Sequence, residues 1–418
     1  MTLRTVFVGC VLSLFLAAVR GNLANGADWL QFRGNDTTGV APEAKLPVTW
    51  GKKAGGDKDG LGENIAWRAD LPGRGVSGPI VVGGKVIVTS SSGFKHDRLH
   101  VLAFDVASGE RLWERQFWAT GRTLCHPTSS VAAPTPASDG KRIFAFYSSN
   151  DLVCLDLDGN LNWFRGLGYD FPTAANDVGM AASPVVVGDT VIVQVENKGD
   201  SFAAGLDTAT GEDRWRVDRD HAMNWTSPGV LRGKTPQDDL VLLQSPSHLS
   251  AHRPRTGEVA WSYAAGCSII PSVLAADGLV YLPAGGLTAL RPGAQPGSQV
   301  EAVWSEAKMA PSSSSPVFYD GRLYVINGAS VLTCADAADG KVLWRLRLAG
   351  KFWATPTVAG GLIYCVNDQG LAQIVKSGEQ GEIVAENDLG EPVLGSPAVA
   401  GGAIYFRGDA HLWKIAAP

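Results

Sequence analysis

Short runs of apolar residues, each broken by a pair of turn formers, recur along almost the whole chain. The first is Pro79-Ile80-Val81-Val82, then Gly83-Gly84, then Val86-Ile87-Val88 beyond Lys85. Runs this short, flanked by Gly or Asp and rich in β-branched residues, predict strands rather than helices. The same order opens again at Pro134, Pro184, Pro228, Pro271, Pro316, Pro356 and Pro397, at intervals of 40 to 55 residues. That is the period of a four-stranded propeller blade. Seven of the eight turns read as two-residue pairs: Gly83-Gly84, Asp139-Gly140, Gly188-Asp189, Asp277-Gly278, Asp320-Gly321, Gly360-Gly361 and Gly401-Gly402. Such pairs accept positive φ, so each predicts a tight antiparallel hairpin. The fourth repeat differs, with a longer polar loop containing Pro236 between Leu231 and Leu240.

The second half of each repeat predicts the third and fourth strands. Asp105, Asp207, Arg253 and Asp336 each stand eight residues before a Trp, with a Gly four before it. Those tryptophans are Trp113, Trp215, Trp261 and Trp344; Asp156-Gly159-Trp163 is one residue shorter, and Trp304 ends a looser copy with an insertion around Pro292 to Pro296. With Trp67, seven of the 13 tryptophans hold one position, which points to an indole packed against the neighbouring blade. The eighth repeat, Ser396 to Ile415, stops after three strands, and its missing fourth is Glu63 to Arg68. Pairing the two ends removes an open sheet edge. The expected fold is all-β: an eight-bladed β-propeller of four-stranded antiparallel blades, the last blade closed by an N-terminal strand. Blade 7 has Ala385 where the Trp would stand.

Composition agrees: 45% hydrophobic residues fill a large core, and Gly 50 with Pro 23 against 18% charged residues suits a turn-rich β fold. The 418 residues therefore form one repeat array rather than several domains. Residues 1–26 read as a secretory signal: Arg4, an apolar run from Val6 to Val19, and Ala24-Asn25-Gly26 as the cleavage region. An extended leader follows over 27–63, then the propeller over 64–418. Cys10 in Val8-Gly9-Cys10 superficially resembles a lipoprotein site, but cleavage there leaves too little apolar chain upstream. Removing residues 1–26 takes away Arg4 and Arg20, leaving 34 basic against 41 acidic residues, a balance of −7 where the whole chain carries −5. The expectation is an exported, periplasmic or extracellular monomer with no integral membrane segment and no nucleic-acid partner. The five remaining cysteines, Cys125, Cys154, Cys267, Cys334 and Cys365, give neither a disulfide framework nor zinc spacing. Cys154 and Cys334 occupy the small third-strand position held by Ala103 in the first repeat, and core packing explains them.

Ala103-Phe104-Asp105 through Gly109 to Trp113, with its copies, resembles the tryptophan-docking repeat of pyrroloquinoline quinone (PQQ) propellers. That family includes quinoprotein alcohol dehydrogenases and the outer-membrane assembly lipoprotein BamB. The leader Asp28-Trp29-Leu30-Gln31-Phe32-Arg33-Gly34 and Leu46-Pro47-Val48-Thr49-Trp50 are similar to the openings of secreted bacterial PQQ-like repeat proteins. The dehydrogenase resemblance implies two adjacent cysteines, a calcium site beside the quinone and an aspartate base; the chain has no Cys-Cys and no Cys-x-x-Cys-His. The nearest calcium-like run, Asp156-x-Asp158-Gly159-Asn160-x-Asn162, uses the repeat's own turn residues. The BamB resemblance implies a lipidated cysteine at the mature start, and none stands near Ala24 to Trp29. No cofactor is expected; PQQ with calcium belongs only to the alternative of a quinoprotein dehydrogenase. The favoured reading is a non-catalytic scaffold for protein or peptide partners.

A site is expected where the repeats stop resembling one another, in the loops before the first strands, which gather at one mouth of the channel. Candidate ligand-binding residues there are Arg74, His126, Asp177, His221, Trp225, Trp353 and Glu391, with Arg122, Cys125, Asp170, Asn176, Asn224, Cys267, Lys308, Lys351 and Phe352 in the same loops. His126 and His221 are possible metal ligands, but without metal-site spacing. Trp225 and Trp353 suit either stacking on a ligand or capping the channel. The Ser312–Ser315 run lacks a Gly-x-Ser-x-Gly elbow and reads as a hydrogen-bonded loop. No acid/base pair is assignable.

Overall fold

The computed structural model describes residues 28–51, 61–175, 178–293 and 299–418. The signal reading of residues 1–26, Cys10, Asn176 and Asp177 lies outside them, as does most of the insertion after Pro292. The strands form eight sheets, each holding a four-stranded antiparallel blade, whose inner strands neighbour one another round a ring. Blade 1 comprises Ile80–Val82, Lys85–Ser92, Arg98–Asp105 and Arg111–Trp118. The ring closes through the N-terminal strand Ile65–Asp70, antiparallel to His411–Ala416, with Arg68 opposite Trp413. Two-residue turns join the two innermost strands of six blades. At Gly83-Gly84, for example, both residues are left-handed (φ 54° and 75°) and Val82 pairs with Lys85. Blade 2 corrects the expectation: Ser138 pairs with Ile143, so its turn is the longer Asp139–Arg142. There the Asp139 carboxylate accepts the Lys141 and Arg142 backbone N–H groups, making a capped turn.

In all eight blades the fourth strand bulges one residue before the Trp position; Ala103 faces Trp113 while Phe104 faces Arg111, leaving Leu112 unpaired. The bulge aims the indole at the next blade. Trp67, Trp113, Trp163, Trp215, Trp304 and Trp344 donate Nε1–H to the turn carbonyls of Val106, Leu157, Thr208, Pro254, Ala337 and Gly378. The repeat glycine is the floor of this contact: a Cβ on Gly109 would stand 2.6 Å from the Trp67 ring. Trp261 is buried as Trp67, Trp163 and Trp215 are, but its Nε1 has no partner among the described residues.

The leader does not run over the surface. Trp29 and Val81 exchange both backbone hydrogen bonds (2.8 and 2.9 Å), and the Ser138 N–H donates to Leu30 O, Val186 to Gln31 Oε1, Val230 to Thr37 Oγ1 and Val358 to Gly39 O. Val40–Ala41 then adds a parallel fifth strand to blade 7. The five donors occupy equivalent positions, two residues past each blade's proline. Their inner strands would otherwise present unpaired N–H groups to the channel. The leader therefore closes the end of the channel where the inner turns lie. These equivalences also correct the repeat register: Pro136 and Val273, not Pro134 and Pro271, fill the proline position.

Past the plug, the leader wedges between blades 7 and 8. Trp50 is 2% exposed, its ring lies 5.8 Å from that of Phe406, and its N–H donates to Asn387 Oδ1 at 3.0 Å. It joins the core cluster against which Ala385 packs. An indole from the leader thus enters the interface whose own strand lacks one.

Candidate functional site at the channel mouth

One hydroxyl residue per blade precedes the proline position, except in blade 1, where Gly78 stands there. Each hydroxyl accepts the backbone N–H of its counterpart one blade back: Gly78 to Thr135, Thr135 to Ser183, Ser183 to Ser227, Ser227 to Ser272, Ser272 to Ser315, Ser315 to Thr355 and Thr355 to Ser396, at 2.9–3.1 Å. Seven bonds therefore lace the blades round the channel. They satisfy donors that no strand ladder reaches, and the hydroxyls line the cavity above.

That cavity encloses about 590 Å³. Its floor includes Phe32 of the leader, its waist is the hydroxyl ring, and Trp225, Trp353 and His126 stand at the mouth. Under Phe32, Arg33 is 2% exposed, with its guanidinium 5.3 Å from the Phe32 ring and Nη2 donating to Val273 O at 2.7 Å. Its Nε and Nη1 have no partner among the described residues, and burial pulls it down to about 9, still charged at neutral pH. No Lys, Arg, Asp or Glu lines the cavity among the described residues; His126 is its sole titratable side chain. Nδ1 of His126 accepts the Thr128 N–H at 3.2 Å, which assigns the neutral ring's proton to Nε2.

Trp225 is held: Nε1–H donates to Gly179 O at 2.8 Å. Behind it lies a buried network that sequence reasoning missed. Arg219 Nε meets Glu196 Oε1 at 2.9 Å, Ser245 donates to the same oxygen, and Asn224 donates to Glu196 Oε2 and Gln244 O. Burial raises the Glu196 carboxyl even though Arg219 opposes that shift. The network fixes loop 219–228 and hence the indole. Trp353, by contrast, is 47% exposed.

Arg74 lines an adjoining groove rather than the channel. His221 is exposed and lines neither, so His126 and His221 are not brought together. Glu391 serves blade 8: its carboxylate accepts from the Ala410 N–H and the Trp413 indole and contacts His411 at 3.0 Å. Asp156 accepts the N–H groups of Asp158 and Asn160, so the calcium-like run is a turn, and Asn160 leads in holding that carboxyl below its usual range. Ser315 belongs to the hydroxyl ring. Among the described residues no three His, Cys, Asp or Glu side chains gather as a metal site, and the five cysteines are free.

Blade number, docking tryptophans and hydroxyl-laced channel define a PQQ-like eight-bladed propeller. The chain belongs to the family described as outer membrane protein assembly factor BamB, whose model matches residues 62–263 and 285–379. In structure it is similar to BamB from Moraxella catarrhalis (16% identity, TM-score 0.61, 84% of this chain and 96% of that one). It is also similar to a europium-containing methanol dehydrogenase (15%, 0.68, 92% and 90%). A quinohemoprotein alcohol dehydrogenase from Comamonas testosteroni is a third relative in fold (13%, 0.69, 96% and 82%). At these identities the likeness is one of fold. No curated protein matches the chain in sequence.

Proposed function

We propose that this protein is an exported, monomeric, non-catalytic binding propeller whose open channel mouth receives part of a protein or peptide partner. The observation that carries this reading is the cavity itself: blind at the leader end, open at the mouth, lined by hydroxyls, aromatic rings and aliphatic groups, and without a charged side chain among its described lining. Such a concave, largely apolar surface with a few polar groups is suited to binding. Its described lining offers no nucleophile–base pair and no paired carboxylates. Membership of a family described as an assembly factor supports the same reading.

The described lining does not fit a tricarboxylate quinone held beside calcium, which asks for cations against its carboxylates and carboxylate oxygens for the metal. Two of the similar folds are dehydrogenases, so the rival is tested directly. Purified protein is titrated with PQQ and calcium while absorbance, melting and dye-linked alcohol oxidation are followed. The binding reading expects none of these to respond; a stoichiometric spectral change with turnover would replace it by the dehydrogenase. Export is tested by fractionation and by the N-terminal sequence of the mature chain, expected to begin near Ala27.

A further inference from the structure

The most elaborated side of the mouth lies over blades 1 and 2. Strands Lys85–Ser92 and Arg98–Asp105 have eight residues each, where blade 6 has Arg322–Ile326 and Val331–Asp336. The connections over 119–136 and 167–184 are about twice as long as those elsewhere, such as 265–273. Between the taller blade 1 and loop 119–136 runs a groove of about 330 Å³, lined by Arg74, Phe94, Lys95, His96 and Leu124. His126 and Ser129 line both this groove and the channel, so the two cavities share a wall.

The chemistry of the groove departs from the rest of the molecule. Among the described residues no carboxylate lines it and neither Arg74 nor Lys95 has a carboxylate partner, whereas Arg165, Arg214, Arg216, Arg219 and Arg232 are all paired. On a chain of net charge −5 this is a local reversal of sign. Of its lining residues, Phe94 is wholly exposed at the loop tip and Leu124 is 53% exposed. Exposed apolar groups clustered among like charges mark an interaction surface. Arg74 is preset: its N–H donates to Ser91 O, its carbonyl accepts from Ser130 Oγ at 3.0 Å, and its guanidinium donates to Pro127 O.

Resting on the binding reading above, we propose that channel and groove form one two-part peptide site, selective for an acidic segment that carries an aromatic or long apolar side chain. The apolar side chain enters the channel past Trp353, and neighbouring carboxylates lie over Arg74, Lys95 and His96. An extended peptide suits this shape because successive side chains point to opposite sides and advance about 3.3 Å per residue. It can therefore straddle the shared wall at His126. Charge complementarity sets the partner's sign, and the channel, whose described lining carries no charged side chain, excludes the carboxylates themselves.

The test uses the full mature protein and four labelled peptides on a Gly/Ser frame: Trp flanked by Asp, by Asn, or by Lys, and the Asp peptide with Ala for Trp. Anisotropy is read at low and high salt. The Asp–Trp peptide should bind tightest and weaken at high salt as screening sets in. Lys95→Glu should weaken it roughly threefold to thirtyfold, the effect of reversing an exposed charge pair. Trp353→Ala should weaken all Trp peptides, and unchanged melting of both variants shows that their fold is intact. Equal binding of the Asn or Ala peptide, preference for the Lys peptide, indifference to Lys95→Glu, or no binding at all would overturn the two-part site. PQQ turnover would instead overturn the binding reading, so the two failures are distinguishable.

Discussion

Replacing Trp50 by alanine should destabilise the propeller although Trp50 lies outside every blade. Its side chain is 2% exposed and packs 5.8 Å from Phe406, in the cluster against which Ala385 packs. Truncating a buried aromatic to alanine costs about 3–5 kcal/mol. The Trp50 Nε1 is buried without a partner among the described residues, so part of that loss is offset by removing an unsatisfied donor. The lower end, about 3 kcal/mol, is therefore expected. Trp50→Phe keeps most of the packing and drops the unpaired donor, and should stay within about 1 kcal/mol of wild type. At Trp113, where Nε1 donates to Leu157 O at 3.0 Å, the same change loses a real bond and should cost more. Urea unfolding followed by tryptophan fluorescence and far-UV circular dichroism supplies the values, provided the two probes coincide. The sharper experiment is Ala385→Trp. Alone it overfills the interface; combined with Trp50→Ala it should recover stability by restoring the repeat's own indole, a coupling of opposite sign to the single effects. Simple additivity of the two changes, or a Trp50→Ala loss below about 1 kcal/mol, would refute the view that the leader supplies the missing indole.

Ser227→Ala removes the acceptor of the Ser183 N–H and should cost about 1–3 kcal/mol by the same urea assay, whereas Gly78→Ser should also destabilise rather than complete the ring, since a Cβ there lies 2.4 Å from Ser396 O. His252, stacked 6.2 Å from Trp215, has its imidazole held below the usual range chiefly by burial. The unfolded chain then binds more protons below about pH 6.5, so stability is full above that pH and falls as pH drops below it. His252→Phe should flatten the dependence of the urea midpoint between pH 7 and 5. Trp225→Phe, losing its bond to Gly179 O, should cost about 1 kcal/mol, while Trp353→Ala should change stability by less than about 0.5 kcal/mol in the same measurement.

The blades were legible because their signals are local. Apolar runs, turn pairs, and an Asp, Gly and Trp at fixed offsets each specify a hairpin or a strand within about a dozen residues, and repetition averages out the exceptions. The closing strand around Trp67 was legible by counting, since a ring of four-stranded blades leaves one strand to find. Blade 2 misled because Pro134 and Pro136 lie two residues apart, and only the contact of Thr135 with Ser183 decides the register. The hydroxyl ring left a faint trace: Ser183, Ser227, Ser315, Thr355 and Ser396 each directly precede the repeat's proline. Their common purpose is invisible until the blades are set side by side.

What the sequence determined by itself was the repeating unit, its number and the way the ends meet, since these follow from short-range backbone preference and period. What only the tertiary structure decided was everything built across the ring. Arg33 reaches Val273 across 240 residues of chain, Trp50 fills an interface whose walls lie beyond residue 380, and Phe32 becomes the floor of a cavity whose mouth carries Trp353. Arg219 and Glu196 show no spacing pattern, yet burial makes them partners. Such contacts have no sequence period because the residues involved belong to different elements, and their meeting is set by closure of the ring rather than by any local preference.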